Sequence, residues 1–379
     1  MTIVKTNIVM MTPAKTEGTV IVNIQKATRQ YERWLRAYTP LVVADLDFKH
    51  QQMAVGVFPF LRATYYRWAQ VWPVVCKDLC KAPILLSVGD LHVENFGTWR
   101  DSEGRLIWGI NDFDEASYLP YVNDLVRLAT SAQLAIEANH LCLECVHAAD
   151  AILNGYIAGL NAHGNPFVLA EDHAWLRDIA HNSLNDPVSY WQKMDRLPTI
   201  EENIPESARV AIEHVLPVLE TGYTLKRRVA GLGSLGHPRY VALSSWAGGN
   251  VAREAKALVP AGSAWANKGE GSVEIYYQAI IDRAVRCHDP FVQLQGHWIV
   301  RRLAPDCARI ELSSLPQERA EKELLYAMGY ETANIHLGNK SAIARVKADL
   351  RKRKSGWLQR ASDAMAKAMQ TDWNAWKAG

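Results

Sequence analysis

No apolar run in this sequence approaches the roughly 20 residues that span a bilayer, so no membrane helix is expected. The opening MTIVKTNIVMMTPAK has no long apolar centre and no clean cleavage site. A secretory leader is therefore not expected, and a soluble, cytoplasmic protein is. Excess charge of one sign is lacking too. The 42 Lys and Arg face 40 Asp and Glu, a formal +2, so no global field points to nucleic acid as a partner. Cysteine is sparse, six in 379 residues. Cys76/Cys80 and Cys142/Cys145 have helical spacing in apolar segments without a second ligand pair at zinc-ribbon distance, so buried reduced thiols are expected. Internal repeats and low-complexity tracts are also missing, which removes solenoids and arrays.

What is present suits a globular protein: 49% hydrophobic and 22% charged residues. At this length two domains or one two-lobed unit are expected. Residues 1–220 read as a mostly helical region holding a short hairpin, after a loose arm with a possible strand, TVIVNI. Within it, helices are expected over 25–36 and 58–79, and a buried strand in APILLSV. Residues 221–315 read as a small β-rich lobe with strands at 223–230, 239–246 and 250–257, a helix near 272–287 and a strand in GHWIVRRL. Residues 316–379 read as a helical C-terminal segment. It carries Trp357, Trp373 and Trp376 beside the basic run KADLRKRK, and is expected to pack its Trp and Met face on the body. The fold class is α+β and helix-rich.

Two clusters carry chemistry. SVGDLHVENFGTW places Asp90, His92, Glu94 and Asn95 within six positions. On a strand, Asp90, His92 and Glu94 share one face, which suits a divalent metal and a metal-dependent hydrolase. Alternatively, Asp90 and Asn95 have the D-x-x-x-x-N spacing of a phosphoryl-transfer loop. A following hairpin then returns Asp112 of NDFDEA as a second magnesium ligand, with Asp114 beside it. The second cluster is AGLGSLGHPRYVAL, with Gly231, Gly233 and Gly236 in G-x-G-x-x-G spacing. A dinucleotide fingerprint needs a helix after the last glycine, but Pro238 and RYVAL read as a strand. Strand, glycine turn, strand is the arrangement that lays backbone N–H groups over nucleotide phosphates, and Ser234 adds a hydroxyl. The third strand supplies Arg253 and Lys256. Three positions apart, they face opposite sides of a regular strand, so one of them reaches a ligand. Glu274 is the candidate acidic partner of that cation. Lys49, Arg62 and Arg301 are candidate anion contacts, each with a plain structural reading beside it.

GDLHVENFG followed by INDFDEA resembles the catalytic loop and metal-binding Asp of the aminoglycoside-phosphotransferase and protein-kinase-like fold. With NDLVRLATS, the glycine loop and DPF…RRLAPD, the chain resembles more closely the uncharacterised DUF2252 family. The resemblance implies a two-lobed kinase-like fold in permuted order, since the catalytic region precedes the glycine-loop lobe. It implies Asp90 as the catalytic carboxylate, Asn95, Asp112 and Asp114 around Mg²⁺, and Asp124 bracing the loop. His92 fits a loop-bracing role. The family's K-E-A maps onto Arg253-Glu254-Ala255, which favours Arg253 and leaves Lys256 open. The implied activity is ATP-dependent phosphoryl transfer to a hydroxyl of a small molecule. Nucleotide binding without turnover, or nucleotidyl transfer, is the alternative on the same site.

Overall fold

The computed structural model describes residues 22–170, 172–217, 219, 222–267, 272–308 and 318–379. The expected strand over 19–24 lies outside them as far as residue 21, and Ile24 already begins a helix. In chain order the first helices are α1 (Ile24–Leu35), α2 (Val43–Val55), α3 (Val57–Ala63) and α4 (Tyr65–Val75). The strands β1 (Ile84–Ser87), β2 (Phe96–Arg100), β3 (Leu106–Ile110) and β4 (Ser117–Pro120) follow. Next come α5 (Val122–Glu137), α6 (Cys145–Asn161), β5 (Phe167–Val168), α7 (Ala174–Ser183), α8 (Pro187–Asp195) and α9 (Glu206–Val215). The β-rich part holds β6 (Thr224–Arg227), β7 (Arg239–Trp246), β8 (Gly249–Ala257), α10 (Gly262–Ala266), α11 (Tyr277–Arg283), β9 (Gln293–Gln295) and β10 (Trp298–Leu303). The chain ends in α12 (Glu318–His336), α13 (Lys340–Lys352) and α14 (Trp357–Ala378). No described helix is long and apolar enough to cross a membrane.

Local signals explain most of these boundaries. Asn23 caps α1 by accepting from the Lys26 N–H, and Asp186 caps α8 in the same way with Pro187 at its first position. The single helix expected over 58–79 is instead two, α3 and α4. They are broken at Thr64, whose backbone leaves helical values and whose hydroxyl bonds the Phe60 carbonyl. The helix expected near 272–287 is shorter, Tyr277–Arg283.

Three antiparallel sheets form. β1 pairs with β4, β2-β3-β5 make a second sheet, and β6-β7-β8-β10-β9 a third. Most of the core is one continuous apolar body, joining α4, β1, α5, α6, α12 and α14, from which Met365 and Met369 of α14 are fully excluded from water. At its centre α5 is buried on nearly every side from Val122 to Ala132. A buried polar side chain without a partner is costly, so Asp124 and Arg127 on this helix must find one. They find it in the loop that follows β1. The five-stranded sheet has its own small cores, one against α9 and one against α8.

Candidate active site

Residues 88–95, between β1 and β2, form a turn. The period-two argument for a metal strand therefore does not apply to Asp90, His92 and Glu94. Glu94 is drawn to Arg62 at 2.8 Å, and His92 Nδ1 accepts from the Glu94 N–H at 3.2 Å. His92 thus braces the turn. Among the described residues no group of three or more His, Cys, Asp or Glu is arranged to hold a metal.

The turn is held from below by α5. Asp124, fully buried, accepts from the Val88 N–H at 2.7 Å and the Gly89 N–H at 3.0 Å, and meets His336 Nε2 at 3.0 Å. Gly89 has φ +83°, and a Cβ there would lie 2.3 Å from the Glu115 carbonyl oxygen, so glycine is required immediately before Asp90. Arg127 reaches up with Nε 2.8 Å from Asp90 Oδ1, its guanidinium flanked by the rings of Tyr65 and Trp68. Burial raises the Asp90 carboxyl above its usual range, and Arg127 pulls it back. Asn95 Nδ2 donates to the Asp90 carbonyl, which directs its amide oxygen elsewhere.

The hairpin of β2 and β3, in register Phe96 to Ile110, returns the chain to this turn. The Asn111 N–H donates to the Asn95 carbonyl at 3.1 Å, which sets Asp112, Asp114 and Glu115 beside Asp90. Burial, reinforced by Asp112, pushes Asp114 up to about 6, and burial pushes Glu115 up to about 8 despite the Gly262 N–H it accepts. The glycine loop joins from the other lobe. Residues 231–234 line the same chamber as Asp90, Asn95, Asp112 and Asp114, with Gly231 in the left-handed region. Gly236 has φ +97°, and a Cβ there would meet Leu46 at 2.4 Å, while its carbonyl accepts from the Val42 N–H. Ser234, which also lines the chamber, accepts at Oγ from Arg239 at 3.1 Å.

Lys49 is buried, not solvated, and its Nζ donates to the Gly233 carbonyl at 2.7 Å. Burial pushes it down to about 8. Arg62 is paired with Glu94, its plain structural reading, and also lines the chamber.

On β8 the alternation expected from sequence is present, and the choice falls on Lys256. Its Nζ meets Asp114 at 2.5 and 2.7 Å and Asp112 at 3.5 Å. Arg253, the residue favoured by the K-E-A alignment, points to the opposite face. There it donates to the Val215 carbonyl at 3.1 Å and lies over Phe291. Glu274 is exposed and bonds locally to Ser272, so the carboxylates of the β8 cation come from NDFDEA instead. Arg301 points inward to Glu254. Arg127, Glu115 and Glu254 escaped the sequence reading. Arg127 and Glu115 stand inside quoted motifs, so their charge in an apolar helix and in an acidic triplet was the available signal.

The chamber is small, about 40 Å³, room for roughly three waters at 10–15 Å³ each. Asp112 and Gly231 also border a second cleft of about 670 Å³ between the five-stranded sheet and the body. That volume lies in the range of about 300–1,000 Å³ typical of small-molecule sites. For magnesium the donor set fits. Asp112, Asp114 and Asn95, which line the small chamber, offer hard oxygen donors, and Mg²⁺ is commonly held by one or two carboxylates plus substrate phosphates. Lys256 already brings a positive charge to the two carboxylates.

No curated protein and no solved structure matches the chain. Residues 41–169, the stretch carrying Lys49, Asp90, Asn95, Asp112, Asp124 and Arg127, match the family described as an uncharacterized protein conserved in bacteria, DUF2252.

Proposed function

We propose that this protein is an Mg-ATP-dependent phosphotransferase acting on a hydroxyl of a small molecule, with a kinase-like two-lobed organisation in permuted order. One observation carries the reading. Two motifs about 140 residues apart in sequence, each with phosphoryl-transfer spacing, line one chamber through Asp90, Asn95, Asp112, Gly231 and Gly233. Unrelated turn networks have no reason to meet. In this reading Asp90 accepts or orients the acceptor proton, poised by burial and by Arg127. Mg²⁺, when bound at Asp112 and Asn95, neutralises charge on the transferring phosphoryl group. The glycine loop covers the phosphates with backbone N–H groups. Lys256 holds Asp112 and Asp114 beside each other, the two carboxylates that with Asn95 would hold the metal.

A second reading rests on the closed geometry. With Lys49 holding Gly233 and Lys256 holding Asp114, the site also suits nucleotide binding without turnover. Calorimetry of ATP with and without Mg²⁺, on wild type, Asp112→Ala and Asp90→Asn, separates the two. Magnesium-dependent binding is expected, lost in Asp112→Ala and kept in Asp90→Asn. Transfer to a hydroxyl acceptor is expected to fall about 10²–10⁴-fold in Asp90→Asn. Binding without transfer to any acceptor supports the second reading, and no nucleotide binding overturns both.

A further inference from the structure

The larger cleft holds a charge arrangement that the proposed reaction does not yet use. Glu254, on the inward face of β8, is fully excluded from water. Three guanidinium groups converge on it: Arg228 at 2.6 Å, Arg239 at 2.7 Å, and Arg301 at 2.8 and 2.9 Å. They come from three places, the end of β6, the start of β7, and β10. Burial opposes the charge of Glu254, yet Arg239, Arg301 and Arg228 together hold its carboxyl well below the usual range. One carboxylate balances one guanidinium of the three. Arg239 is buried against Ser234 of the glycine loop. Arg228 and Arg301 are partly exposed and line the cleft, on the side where Gly231 and Asp112 border it. Asp112, shared with Lys256, and Asp289, which also lines the cleft, are the further carboxylates coupled to Arg301.

We propose that Arg228 and Arg301, aligned on Glu254, form an anion subsite that takes a phosphate group of the ligand bound in the large cleft. Arginine suits this task because its planar fork offers paired donors to phosphate and stays charged at all relevant pH. A buried Glu254 fixes both forks in advance, so little side-chain freedom is lost on binding. The subsite also accounts for the placement of Lys256. With the guanidinium pair available to the phosphates, β8 is free to spend its lysine on Asp112 and Asp114. The inference rests on the phosphotransferase reading for its setting. The phosphate has two possible sources, the tail of the nucleotide donor or a phosphorylated acceptor.

Calorimetry on the full chain tests it, with inorganic tripolyphosphate, ATP, adenosine and glycerol 3-phosphate as probes. Wild type is expected to bind tripolyphosphate without added metal and to bind adenosine far more weakly than ATP. Arg228→Gln and Arg301→Gln are each expected to weaken the phosphate-bearing probes about 10- to 100-fold, and Arg228→Lys to recover part of the loss. Arg228 is the safer variant, because Glu254 keeps Arg239 and Arg301 when it is replaced. Thermal unfolding of each variant checks that the fold survives. If ATP and tripolyphosphate compete and glycerol 3-phosphate does not, the phosphate is the donor's. If glycerol 3-phosphate binds in an Arg228-dependent way and ATP does not, it is the acceptor's. Two results overturn the subsite: no phosphate-bearing probe binds wild type, or binding is unchanged in both folded glutamine variants. ATP binding that needs Asp112 but ignores both arginines removes the subsite and leaves the phosphotransferase reading intact. Arginine-dependent tripolyphosphate binding with no ATP binding does the reverse.

Discussion

The turn around Asp90 and the glycine loop around Gly233 meet at one chamber but are held there by different physics. The Asp90 turn is fastened to the main core. Asp124 takes two of its backbone N–H groups, Arg127 takes the Asp90 carboxylate, and both side chains rise from a helix with no solvated face near them. The glycine loop is fastened by single polar contacts, from Lys49 at Gly233, Arg239 at Ser234 and Val42 at Gly236. Gly233 itself is exposed. Rigid elements hold geometry, while a cover with few buried contacts is the part able to open.

The largest expected effect tests the rigid half. Asp124→Ala leaves two backbone donors and His336 without their acceptor in a dry interior. A stability loss of about 3–5 kcal/mol is expected in urea unfolding, and a loss under about 1 kcal/mol would show that the turn does not depend on α5. An intermediate effect tests the covering half by contrast within one loop. Gly236→Ala adds a Cβ at positive φ against Leu46 and is expected to cost about 1–3 kcal/mol. Gly233 has ordinary backbone geometry, and its Cβ would sit 3.3 Å from the Arg62 carbonyl and 3.4 Å from Asp90 Oδ2. Gly233→Ala is expected to change stability by less than about 0.5 kcal/mol while crowding Asp90, so transfer falls though unfolding does not. Equal unfolding midpoints for the two variants would erase the distinction between the packed glycine and the exposed one.

A separate effect is a slope in pH. Glu115 is raised from about 4.5 to about 8, so the folded state holds a proton that the unfolded state has released. Stability from this group is fully present below about pH 4.5 and declines as pH rises toward about 8. Glu115→Gln is expected to flatten the decline across that window in unfolding midpoints measured at several pH values. A variant whose profile parallels wild type would mean that Glu115 titrates normally. Lys49, lowered to about 8, acts with opposite sign only above that pH.

Legibility followed the range of the interaction. The D-x-x-x-x-N spacing, the hairpin and the acidic triplet are local in sequence, and they bring Asp90, Asn95, Asp112 and Asp114 to one place. Strand alternation likewise separated Arg253 from Lys256 correctly as a pair. Which of the two faces the body depends on where the sheet docks, and α9 covers the Arg253 side. The burial of Lys49, the reach of Arg127 to Asp90, and the three arginines on Glu254 belong to the same class.

By itself, then, the sequence determined the short-range matters: which turns need glycine, which segments are amphipathic, and which polar residues stand close enough to work together. Backbone sterics and periodicity act within about a dozen residues, and those rules can be read in order along the chain. Only the tertiary structure decided that residues 231–234 line one chamber with Asp90, that Lys256 rather than Arg253 completes the acidic cluster, and that a buried glutamate gathers three arginines from separate segments. Those outcomes come from burying apolar surface across the whole molecule. That force is non-directional, so it fixes partners only once every layer is packed.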